Sequence, residues 1–152
     1  MVQVAIANVL HGWHHADPAE AALEIMESVG DLSGLEVFGQ EVIIGPYIRP
    51  SQTKSGLHVP GSATAEDRYQ GKVGLILKVG PEAFPDKLIA RWNGRKPSVG
   101  DWVYFDVKSS FEAHVQGVGS KKSPTRDWSG WPVRLVLADD IRGRVARPEW
   151  VV

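Results

Sequence analysis

The sequence has no cysteine, which excludes disulfides, thiol catalysis and thiolate metal sites together. It also lacks any apolar run near the roughly 20 residues that span a bilayer as a helix. The first residues, MVQVAIANVLHGWHH, carry no basic n-region and no proper hydrophobic stretch, so no secretory signal is expected. Nor is there an excess of positive charge. The 17 Lys and Arg face 18 Asp and Glu, for a formal charge of −1, which argues against a nucleic-acid partner that needs a concentrated basic surface. The basic stretches 91–96 and 142–147 mix Arg and Lys with Pro, Gly and apolar residues, and read as solvated faces or local ion pairs. These absences fit a cytoplasmic protein with neither membrane nor nucleic acid among its partners.

What remains is apolar and rich in turns. Hydrophobic residues make up 43% of the 152, enough for a real core in one domain. Gly and Pro together are about a sixth of the chain, which favours short elements over long helices. In "DPAEAALEIMESVG", Asp17 is a good N-cap, Pro18 suits the first helical position, and Glu20 follows three after the cap. Leu23, Met26, Ile25 and Val29 supply an apolar stripe and Gly30 a stop. One short amphipathic helix is expected, and a helix that short needs a surface to pack on. That surface is either its own sheet or a neighbouring subunit.

After residue 34 the pattern turns to β. "LEVFGQEVIIG" carries two strand-like pieces, and "KVGLILKVG" alternates Val73, Leu75, Leu77 and Val79. "GDWVYFDV" reads as a strand, "VRLVLADDIRGRV" as strand, turn, strand, and "DKLIARW" stays ambiguous. Such short strands with Gly and Pro between them favour a small barrel or sandwich. Two stretches are loop-like. One is 50–66, small and polar apart from Leu57 and Val59. The other is 117–132, where Trp128 and Trp131 either pin the loop to the sheet or serve as an interface.

Chemical constellations are sparse. His11, His14 and His15 are the strongest metal candidate, but they precede the helix cap and no zinc-peptidase carboxylate follows. Surface or packing histidines are the simpler reading. Asp139 and Asp140 are adjacent, and Ser51, Ser55 and Ser62 lie near His58 without a nucleophile elbow or an orienting acid. No HExxH or P-loop pattern occurs. The expectation is a binding protein, not an enzyme, with no cofactor and no metal. Its most specialised feature is "SGLHVPG", where Leu57 and Val59 project to one side if the segment extends. They either pack on the sheet or enter an apolar groove of a partner, where each is worth about 1.5–3 kcal/mol when buried.

Residues 34–146 resemble the co-chaperonin family, the ten-kilodalton, GroES-like lids of type I chaperonins, and most of all its bacteriophage-type members. Four ordered segments carry the resemblance: "EVIIGPYIRP", "TKSGLHVPGSATAEDRYQGKVGLILKVGPEAF", "PSVGDWVYFDV" and "VRLVLADDIRGRV". The resemblance implies an all-β fold, a small irregular GroES-like β-barrel over 34–152, preceded by a short helical extension over 1–33. It implies a mobile loop at 51–65, whose tripeptide Leu57, His58 and Val59, after Gly56, docks on a GroEL-like ring of host or phage. It also implies a roof segment at 81–97 and self-association into a seven-membered ring, with ATP hydrolysis left to the chaperonin.

Three features depart from the family pattern. His58 stands where an aliphatic residue is usual, so docking would require a neutral or partnered imidazole. Pro60 restricts Val59 to extended backbone, which lowers the ordering cost of the loop. The extension 1–33 and the insertion 117–132 are additions. They leave open a second reading, a virion structural or decoration protein that reuses the barrel and meets other virion proteins through the helix or Trp128 and Trp131.

Overall fold

The computed structural model describes residues 17–48, 72–121 and 130–151. Helix α1 spans Pro18–Val29. Asp17, in extended backbone, accepts a hydrogen bond from the Ala19 N–H at 2.9 Å, which satisfies one of the donors a helix start leaves open. Gly30 ends the helix at φ +78° and donates to the Met26 carbonyl at 3.1 Å. Six strands follow: β1 Glu41–Pro46, β2 Val73–Val79, β3 Trp102–Phe105, β4 Phe111–Val115, β5 Trp131–Leu137 and β6 Ile141–Arg144. They form one antiparallel sheet in the order β4-β5-β1-β2-β3-β6.

Both faces of the sheet are covered, which explains why the central strands are apolar on both sides. On one face Ile43, Val73, Leu75, Leu77, Trp102 and Val133 meet Ala21 and Val29 of α1. The helix therefore docks on its own sheet, closing that alternative. Ile25 fits there because Gly45 has no side chain: a Cβ on Gly45 would lie 2.7 Å from the Ile25 Cγ2. On the other face Val42, Ile44, Ile76, Val103, Phe105 and Val136 meet Ala83 and Phe84. The clean alternation expected through Val79 stops at a β-bulge. Ile43 pairs with Lys78 but Ile44 pairs with Ile76, so Leu77 is the extra residue. A bulge reverses the pleat, and Val79 packs on the face opposite Leu77.

Other boundaries differ from the sequence expectation. The first piece of "LEVFGQEVIIG" is not a strand; residues 32–40 are turns and irregular backbone. There the Leu35 N–H donates to the Leu32 carbonyl, and the ammonium of Lys78 is hydrogen-bonded to the Leu35 carbonyl. "DKLIARW" forms 3-10 turns with a kink at Leu88. β4 was not anticipated, and β5 begins at Trp131 with Pro132 inside it.

The connection from β5 to β6 requires the sheet to curl. Three strands separate them, so on a flat sheet they lie about 19 Å apart at the usual strand spacing. Only Ala138–Asp140 joins them, and four Cα steps reach at most about 15 Å. Val136 of β5 shares a cluster with Val103 and Phe105 of β3 and with Ile141 of β6, as curling demands.

Candidate functional site

The ends of the strands define the frame of the candidate docking segment. β1 leaves the sheet at Pro46 and β2 enters beside it, with Pro46 opposite Gly74. The Tyr47 N–H donates to the Val73 carbonyl at 2.9 Å, and the Lys72 carbonyl accepts from the Phe105 N–H at 2.9 Å. Residues 49–71 thus begin and end on adjacent, paired strands. Tyr47 is 7% exposed and meets Trp102 edge-to-face, ring centroids 5.7 Å apart, so an aromatic pair braces the base. Gly74 is required there for a different reason. A Cβ on it would sit 2.4 Å from the Ile44 Cγ2 and 2.6 Å from the Gly45 carbonyl oxygen.

Gly56, Leu57, His58, Val59 and Trp128 lie outside the described residues, as do His11, His14, His15, Ser51, Ser55 and Ser62. Trp131 is described. It opens β5 opposite Val115, packs half-buried against the α1-covered face, and its indole N–H is hydrogen-bonded to the Lys121 carbonyl. It holds residues 116–121 to the sheet from within the chain. Those residues are also stitched to the end of α1. Gly117 donates to the Val29 carbonyl at 2.9 Å, Asp31 and Val118 exchange backbone bonds, and the Lys121 Nζ lies 3.2 Å from Glu27. The helical extension and the start of the insertion are one packed unit.

The strand directions sort the connections onto two ends. Segment 49–71 and the β4–β5 connection emerge at one end of the sheet, where Pro46, Val73, Val115 and Trp131 lie. The β2–β3 connection, 80–101, leaves from the other, where Gly80 donates to Glu41 and Glu82 to Gly39. The basic stretches meet beside it: the Arg144 guanidinium donates to the Trp92 carbonyl at 3.0 Å and is hydrogen-bonded to the Arg95 carbonyl. Arg91 pairs with Asp139 at 3.1 Å, Arg95 with Asp101 at 3.5 Å and Lys96 with Asp86 at 2.6 Å. The Lys96 ammonium holds the Asp86 carboxyl below its ordinary value, as hydrogen bonds from the Ser33 N–H and hydroxyl do for Asp31. Of the two sequence readings, solvated faces or local ion pairs, local ion pairs describe 91–96 and Arg147, which pairs with Glu149 at 2.5 Å, while Arg142 is exposed.

Among the described residues no three His, Cys, Asp or Glu side chains are grouped to hold a metal ion, and no helix is long and apolar enough to cross a membrane. The sequence reading overlooked the bracing pair Tyr47–Trp102 and the approach at Gly74, which depend on strand pairing. Compared with known proteins, the chain matches no family model and no curated protein.

Proposed function

We propose that the protein is a co-chaperonin lid, a GroES-like barrel that caps a type I chaperonin ring through the segment 51–65. The observation that supports it most is topological. A segment bearing the Leu57-His58-Val59 tripeptide in its sequence begins and ends on two paired strands at one end of a curled sheet, and the connection 80–101 leaves the other end. A rigid base with a long span is what a docking arm needs, since an apolar anchor delivers affinity only when its attachment is fixed. Self-association into a ring, seven-membered by the resemblance, would multiply weak individual contacts through effective concentration. The packing of α1 on its own sheet favours the lid over the virion reading, because the helix's buried face is occupied within the chain.

The test is to mix the purified protein with a type I chaperonin ring and nucleotide, then look for a ring complex by native mass spectrometry and for slowed ATP turnover. Both are expected, and both are expected to vanish with Leu57→Asp while the circular dichroism stays unchanged. Absence of a complex with the chaperonins of host and phage would overturn the lid reading. A complex untouched by Leu57→Asp would overturn the anchor.

A further inference from the structure

A cleft of about 440 Å³ opens between the 91–97 turn and β6. Its size is that of small-molecule sites, which combine an apolar floor with a few placed polar groups. Two aromatic side chains line it: Trp92, fixed edge-to-face against Phe84 at 5.2 Å, and Tyr104, whose ring lies over the open position of Gly143. The rim carries three guanidiniums, Arg91, Arg142 and Arg144, against the single carboxylate of Asp139, in a chain whose formal charge is −1. Arg144 is committed to the Trp92 and Arg95 carbonyls, so it shapes the wall. Arg142 is different. It sits where the β3–β6 register slips, between the pairs Tyr104–Gly143 and Phe105–Ile141, and bulges of this kind re-aim a side chain. It is exposed and makes no hydrogen bond or ion pair among the described residues. Among the described residues the Arg91 guanidinium pairs with Asp139 alone, in a pair more than half exposed on both sides, which an incoming anion can displace.

We infer that this cleft binds a small organic oxyanion: its phosphate or carboxylate group lies between Arg142 and Arg91, and its body rests on Trp92 and Tyr104. Planar guanidiniums suit both groups, because each offers paired oxygens to the N–H fork. The inference is independent of the lid reading, since it uses nothing from 49–71. The test is a titration of the full chain, followed by NMR at the Trp92 indole N–H, assigned with Trp92→Phe. The probes are phenyl phosphate, benzoate and inorganic phosphate. Saturable shifts with phenyl phosphate or benzoate are expected, at least tenfold tighter than with inorganic phosphate, and the better of the two identifies the anionic group. Arg142→Ala should weaken that binding at least tenfold, Arg142→Lys less, and Asp139→Asn should strengthen it by freeing Arg91. Lys87→Ala, an exposed charge outside the cleft, should change nothing. Shifts that never saturate, or that survive Arg142→Ala, or that fall equally with Lys87→Ala, would overturn the site.

Discussion

The two ends of the sheet are built from different contacts. At one, the base of the chain between β1 and β2 is held by Tyr47 against Trp102, the Tyr47–Val73 bond and the close approach at Gly74. At the other, the 80–101 connection is tied along its length. Phe84 is buried under the sheet, Trp92 packs on it, and Arg144, Asp101 and Asp86 bind the turn at 91–98. In the 80–101 connection, side chains facing the sheet decide how the chain is held. That connection carries Phe84 and Trp92 inward, whereas the sequence of 49–71 sets Leu57 and Val59 among mostly small and polar residues. A connection fixed in this way can build a cleft.

Four substitutions break the contrast at graded depth. On the lid proposal, the largest effect is expected from Leu57→Asp, which should abolish the proposed complex with a chaperonin ring without moving the thermal midpoint, so that binding is lost and the fold is not. Gly74→Val should instead strike the fold. Its side chain must displace Ile44 or a backbone oxygen, and a urea titration should read a loss on the order of 3 kcal/mol. Arg144→Ala, at the other end, should cost about 1.5–3 kcal/mol by removing charged donors from two carbonyls; it should also speed amide exchange at 92–97 while leaving β1 and β2 protected. Asp86→Asn should do least, because its carboxyl is exposed and screened. Its sign is still defined. A folded-state value held below the ordinary 3.8 contributes stability that is full above that value and is lost as pH falls through the lower one. The wild type should therefore lose more stability than the Asn variant on acidification below pH 3.8. Together with the Arg142→Ala titration, these measurements separate docking, fold and cleft.

Much of the architecture was legible because local chemistry agreed with the tertiary outcome. Asp17, Pro18 and Gly30 bound the helix at the expected residues, since caps act within a few residues of their own position. β1, β3 and the β5-turn-β6 run were legible for a similar reason: continuous apolar or alternating residues flanked by turn formers. β4 was missed, although Phe111, Ala113 and Val115 alternate with Glu112 and His114. Five residues with Phe111 exposed make a weak pattern, and pairing with β5 is what holds them extended. The piece 35–40 failed in the opposite direction. Leu35, Val37 and Phe38 have strand-like composition, but no neighbouring strand accepts them, and Phe38 is 73% exposed. The cleft was not legible at all. Arg91 comes from one basic stretch and Arg142 and Arg144 from another, and a bulge rather than a spacing aims Arg142.

The sequence by itself determined the mostly-β character and the capped helix. Each of these follows from side-chain chemistry acting over a few residues. Only the tertiary structure decided where α1 packs, how the extension and the start of the insertion join, and which face Val79 takes after the bulge. It also decided that two basic stretches 50 residues apart share one wall. The physical reason is the same in every case: strand register and sheet curl are set by pairing between distant segments, and one slipped residue reverses every face that follows it.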